Sequence, residues 1–311
     1  MSVVEYRIHS CTGKLSFISG PGDFSLEAGR VVDPSRMFDP DVSPYCFDLA
    51  HRTLICVSTP DLSDAVFFYQ AQRQHARSVI EVPYASLPDG PPSPVLIFSI
   101  GRCGSTLLVK TLRASGVSAV SEPDFYTQAA CAQPTDGSLR RAIAGASRLL
   151  RCSVVKLRLE CNNAPLLISG AFNAPHIMFI LRNPLDWAAS LRRLSRNTLD
   201  LSWAVGQLKR SLVALDQLCR HYPVRISYYE DFRRLDTAEI EHVLAWAGLQ
   251  GRVSPAALRS VAGTDAQEGT IVSRSSVRDV PDDPPFREAF AREWSRHRPV
   301  EVIERLRLKL L

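Results

Sequence analysis

A chain of 311 residues, 45% hydrophobic and 22% charged, is long enough for one large domain with a buried core, alone or with an accessory segment. Its formal net charge of +5 is mild and evenly spread, which suits a small anionic ligand and argues against nucleic acid as a partner. No run of about 18 apolar residues is present, so no membrane span is expected.

The opening MSVVEYRIHSCTGK lacks the charged-then-apolar order of a secretory leader. The eight cysteines (Cys11, Cys46, Cys56, Cys103, Cys131, Cys152, Cys161, Cys219) form no C-x-x-C pair and have no clustered histidines beside them. A structural zinc site is therefore not expected, and reduced core cysteines point to the cytoplasm.

Along the first 85 residues or so, the first half reads as irregular, with several prolines. RTLICVS then reads as a strand, DLSDAVFFYQAQRQHA as a helix with Asp61 or Ser63 as N-cap, and SVIEV as a second strand. This is a small α/β accessory segment or an N-terminal extension of the main sheet. FFYQAQRQHA within it suits a substrate lid, a partner surface or plain packing. Proline and glycine from Pro83 to Val95 break the chain, giving an accessory segment over 1–90 and a main domain over 91–311.

After the break, VLIFSI reads as a strand leading into a helix from about Gly104 to Ser115, stopped by a left-handed Gly116. CSVVKLRL and HIMFILR are short buried strands. LSWAVGQLKRSLVALDQLC has helical apolar spacing, VRISYY is the next strand, and EIEHVLAWAGL the next helix. Alternating βαβ units imply an α/β fold of three layers, a central parallel sheet flanked by helices, with ligands at the carboxyl ends of the strands.

The turn between VLIFSI and its helix carries the chemistry. Small residues at Gly101, Gly104 and Ser105 let successive N–H groups converge on an anion, the helix N-terminus adds its dipole, and Ser105 and Thr106 offer hydroxyls. Alone, these residues also fit a tight strand-to-helix connection. Against G-x-x-x-x-G-K-[ST], Ser105 stands where a nucleotide hydrolase has its lysine, and Arg102 supplies the cation instead.

RCGST, from Arg102 to Thr106, resembles the 5′-phosphosulfate loop of the sulfotransferase family, [KR]-S-G-[ST]-T, with Cys103 in place of the usual serine. That family uses 3′-phosphoadenosine 5′-phosphosulfate (PAPS) as cosubstrate. Arg182, Pro184, Asp186 and Ser190, in HIMFILRNPLDWAASLRR, resemble its 3′-phosphate motif, R-[DN]-P-x-D-x-x-x-S. Arg182 offers a planar fork to phosphate and Ser190 a hydroxyl, while Asp186 is expected to orient the turn. VRISYYEDF resembles the family's Y-E-D-[LF] strand end, which puts Tyr229 near the adenine, with Glu230 and Asp231 in structural hydrogen bonds. Core packing of Tyr228 or Tyr229 is the alternative. Arg274, in TIVSRSSVRDV, is the candidate for a basic loop over the 3′-phosphate.

SAVSEPDFY resembles the E-P context in which bacterial trehalose-type sulfotransferases place their base, and tyrosylprotein sulfotransferases place a glutamate similarly. The resemblance makes Glu122 the base and Lys156 a cation aimed at the sulfonate. It covers Pro94 onward and implies transfer of a sulfonate from PAPS, without a metal, to a hydroxyl or amine of a small-molecule, glycan or lipid acceptor. A small-molecule kinase of P-loop fold and a non-catalytic protein that binds adenosine bisphosphate remain the alternatives. The oligomeric state is left open.

Overall fold

The computed structural model describes residues 2–12, 17–89, 93–132, 137–268, 273 and 281–310. The strands are β1 (Val3–Cys11), β2 (Phe24–Leu26), β3 (Arg30–Val32), β4 (Val42–Asp48), β5 (Thr53–Ser58), β6 (Ser78–Pro83), β7 (Val95–Ser99), β8 (Ala119–Ser121), β9 (Val154–Lys156), β10 (Ile177–Leu181) and β11 (Val224–Tyr228). The helices include α1 (Phe68–His75), α2 (Ser105–Ala114), α3 (Asp124–Ala132), α4 (Gly137–Leu149) and α5 (Pro165–Ser169). They continue with α6 (Pro184–Leu194), α7 (Leu201–His221), α8 (Tyr229–Phe232), α9 (Thr237–Trp246) and α10 (Pro255–Gly263), and further helices run over Pro284–His297 and Val300–Arg305. The chain divides into two compact units. The first is Met1–Leu96 with Ser118–Pro175, and the second is Ile97–Val117 with His176–Leu311.

In the first unit, β1 to β6 make an antiparallel sheet in the order β2-β1-β6-β5-β4, with β3 also paired to β1. Phe24, Tyr45, Cys46, Ile55, Val57 and Val79 pack on one another as part of its core. The N-terminal segment is thus a sheet of its own, and the stretch expected to be irregular contains strands. The prolines explain the misreading. Pro21 and Pro34 open single 3-10 turns between strands, and Pro44 lies in the outer strand β4, beside a register shift between Pro44 and Cys46. Prolines at those places punctuate a sheet without removing a needed ladder bond.

The helix expected from Asp61 or Ser63 begins only at Phe68. Asp61 folds back locally instead, accepting from Ser63 N at 2.9 Å and from Ser63 Oγ at 3.2 Å. The residues between Asp61 and Phe68 form turns and bends rather than helix, so the bonds made by Asp61 stay local to a turn.

The second sheet has the strand order β11-β10-β7-β9-β8. β8 and β9 pair in parallel, as do β10 and β11, the latter from Ile177↔Val224 to Leu181↔Tyr228. Every residue of β7 and of β10 is buried, as in strands covered on both faces. This is the expected α/β architecture of a central parallel sheet flanked by helices. Gly116 stops α2 at φ 83°, while Val117 N returns to the Leu112 carbonyl at 3.0 Å. No helix among the described residues is long and apolar enough to cross a membrane.

Candidate functional site

Between Ser99 of β7 and Ser105 of α2 the chain turns through left-handed backbone at Gly101, Arg102 and Gly104, with φ of 68°, 47° and 75°. Gly104 has no substitute, because a Cβ there would sit 2.7 Å from Cε2 of Tyr229 on top of its positive φ. Arg102 holds the same conformation despite its side chain, which is costly and needs external support. That support comes from α6 and the strand before it. Trp187 Nε1 donates to the Ile100 and Gly101 carbonyls at 3.0 Å each, and Arg182 Nη1 donates to the Arg102 carbonyl at 3.0 Å. With those carbonyls taken, the loop amides and the first turn of α2 form the donor-rich side of the turn. Ser105 and Thr106 are buried there, and Cys103 is buried in the turn itself.

Arg102 donates to the side-chain amide oxygen of Gln267. Burial first, then the neighbouring charges of Arg182 and Arg193, hold its guanidinium below the usual arginine range, and Asp265 opposes them only in part. Arg182, the first residue after β10, lies over the Tyr229 ring at 4.8 Å. Its Nε is buried and has no hydrogen-bond acceptor among the described residues.

Asn183 caps α6, accepting from Leu185 N at 3.0 Å and Asp186 N at 3.2 Å, with Pro184 in the first turn. Asp186 does not orient this turn. Its carboxylate pairs with Arg287 at 3.0 Å. Glu230 accepts from Asn183 N at 3.1 Å, and Ser190 is buried on α6. Tyr228 is drawn away, its hydroxyl accepting from Lys309 N at 2.9 Å, and Tyr229 meets both Gly104 and Arg182. The second unit thus brings together Gly101 to Thr106, Arg182 and Tyr229. Arg274 lies outside the described residues.

Glu122 and Lys156 belong to the first unit. Glu122 follows β8 with φ 61°, its N–H donates to the Lys156 carbonyl at 2.7 Å, and its carboxylate pairs with the Lys156 ammonium. The two side chains are 14% and 6% exposed, so the pair is largely shielded from water.

Sequence reasoning missed two features. The first is Gln267. The second is a buried network around Asp124, which accepts from Arg158 Nη1 at 2.7 Å and from Ser19 N at 2.5 Å and lies 3.9 Å from Arg73. The Arg158 guanidinium is sandwiched between the rings of Phe17 at 4.3 Å and Tyr69 at 4.7 Å. Tyr69 and Arg73 come from FFYQAQRQHA, so that stretch contributes to packing; nothing local in the sequence announced its partners.

No family model matches the chain, and no curated protein matches it. Among solved structures it is similar to a mouse sulfotransferase complexed with PAP, at 16% identity over 63% of this chain and 70% of that one, with a TM-score of 0.39. It is also similar to a sulfotransferase from Alicyclobacillus acidocaldarius, at 17% identity over 70% and 96% of the two chains, TM-score 0.41. A sulfotransferase domain from the curacin biosynthetic pathway is similar at 13% identity over 71% and 100%, TM-score 0.43. Likenesses at this level assign no activity; the side chains have to do that.

Proposed function

We propose that the chain is a PAPS-dependent sulfotransferase. The observation that carries this reading is the meeting of Arg102 and Arg182, whose motifs lie far apart in sequence, at one small-residue turn. Two guanidiniums crowded together, one with a buried N–H lacking an acceptor among the described residues, are stabilised by an anion between or beside them. The donor set fits an adenosine bisphosphate: loop amides with Ser105, Thr106 and Arg102 for the 5′ end, Arg182 and Ser190 for the 3′-phosphate, and Tyr229 for the base.

In this reading the acceptor hydroxyl oxygen attacks sulfur. A new S–O bond forms, and the bond from sulfur to the bridging 5′-phosphate oxygen breaks with its electrons going to that oxygen. Arg102 and the loop amides stabilise the charge that gathers on the leaving oxygen, as preorganised donors do. Glu122 takes the hydroxyl proton, and Lys156 holds Glu122 oriented beforehand. The acceptor is a small molecule, glycan or lipid bearing a hydroxyl or amine.

Calorimetry with 3′,5′-bisphosphoadenosine and with AMP tests the reading. The bisphosphate is expected to bind more tightly by about tenfold or more, the scale of one charge-assisted phosphate contact. Equal affinity for the two nucleotides would overturn it.

A further inference from the structure

Gln267 stands 165 residues from Arg102 in the chain, yet its side-chain oxygen accepts from Arg102 Nη1. The contact is supported from below. Leu107 of α2 and Leu258 of α10 share a hydrophobic cluster, with Val261 and Ala266 packed against it. Lys110 of α2 donates to the Asp265 carbonyl at 3.2 Å. Asp265 then turns the chain, its carboxylate accepting from Gln267 N at 3.0 Å and its carbonyl from Glu268 N at 3.1 Å. The turn that presents Gln267 is thereby fastened to the helix that starts at the anion loop.

An amide oxygen fixes the direction of a guanidinium without cancelling its charge, whereas a carboxylate in the same place does both. Arg102 is half-buried and feels the charge of Arg182, and a neutral acceptor orients it without itself adding a charge that would oppose an incoming anion. We infer that Gln267 is a positioning residue of the anion site: it aims Arg102 at the sulfonate end of the ligand and, being neutral, adds no charge opposing that anion. The inference rests on the reading of the loop as a PAPS site.

The test is calorimetry of the full chain with 3′,5′-bisphosphoadenosine, comparing the unaltered protein with Gln267→Glu and Gln267→Leu at low and high salt. Gln267→Glu keeps an acceptor in place and adds a charge opposing the ligand. Its affinity is expected to fall by about tenfold or more at low salt, with the loss shrinking as salt screens it. Its ligand-free melting temperature should not drop, because the new carboxylate pairs with Arg102. Gln267→Leu removes the acceptor but not the charge, so affinity and turnover should fall only severalfold and with no added salt dependence. Equal affinity of Gln267→Glu and the unaltered protein at low salt would overturn the inference. So would equal, salt-independent losses in both variants accompanied by lower melting, which would mark a merely structural residue. Failure of the unaltered protein to prefer the bisphosphate sinks the PAPS reading instead, so the two failures are told apart.

Discussion

Arg73 and Arg158 in the first unit are buried, Arg102 and Arg182 in the second are half-buried, and the two pairs have different partners. In the first, Arg158 faces Asp124 at 2.7 Å and Glu160 at 3.4 Å, and Arg73 faces Asp23 at 3.3 Å and the Tyr45 hydroxyl at 2.8 Å. Burial pulls both guanidiniums down, yet Asp124 and Glu160 outweigh it at Arg158, and Tyr45, Asp23 and Asp124 outweigh it at Arg73, so both end above the usual arginine range. In the second unit Arg102 donates to an amide, Arg182 donates to a carbonyl, and burial with like charge leaves Arg102 below its usual range. Arg73 and Arg158, answered by carboxylates, tie parts of the first unit together. The difference is one that the proposed anion site in the second unit would require.

The largest effects should appear on turnover, measured as transfer from ³⁵S-labelled PAPS into a host metabolite extract. Arg102→Ala should lower it by about 10²–10³-fold, as loss of one preorganised donor does, and should also weaken bisphosphate binding. Glu122→Gln should lower it by about 10²–10⁴-fold, the range for a general base, with bisphosphate affinity unchanged. If both variants lost affinity alike, the proposed roles of Glu122 as base and Arg102 as anion ligand would be wrong.

Stability should show the reverse pattern. Asp124 is fully buried and anchors Arg158 and the Ser19 amide, so Asp124→Ala leaves a buried cation partly unanswered and should cost about 3 kcal/mol or more. Arg182→Ala gives up one bond to a carbonyl and should cost about 1 kcal/mol, while abolishing the preference for the bisphosphate. Urea unfolding followed by far-UV circular dichroism is the suitable measurement, since all four tryptophans lie in the second unit and their fluorescence would miss the first. Equal costs for the two variants would erase the distinction.

What could be read from the sequence follows from the range of the interactions involved. The β7 strand, its small-residue turn and α2 are encoded within about twenty residues, and Pro184 with Asn183 announces α6 just as locally. The antiparallel sheet was hidden because its prolines look like breaks until strand pairing shows that they fall in turns and at an edge. Asp124 binds Ser19 across 105 residues and Arg102 binds Gln267 across 165. No periodicity or spacing records such pairings, since they exist only once tertiary packing has closed the intervening chain. Asp186 was expected to orient the turn before α6, but Asn183 accepts the bonds there, and the partner of the Asp186 carboxylate, Arg287, lies 101 residues on.

The smallest effect concerns acid. Asp41 in the first unit accepts from Arg36 at 2.7 Å and from Ser58 Oγ at 2.6 Å, and the Arg36 bonds above all lower its carboxyl to about 2. A carboxyl depressed in the folded state below its unfolded value of about 3.9 adds stability that is fully present above roughly pH 4 to 5. That contribution fades as pH falls towards 2, where the folded form also takes up the proton. The full shift would be worth about 2.6 kcal/mol, but the side chain is 37% exposed, and solvent screening should reduce it to about 1 kcal/mol or less. Asp41→Asn should therefore melt slightly below the unaltered protein at pH 6, with the gap closing between about pH 4 and pH 2. A gap that stayed constant over that window would mean the Arg36 cluster contributes through packing rather than charge, and the carboxylate-answered character of the first unit would lose one of its supports.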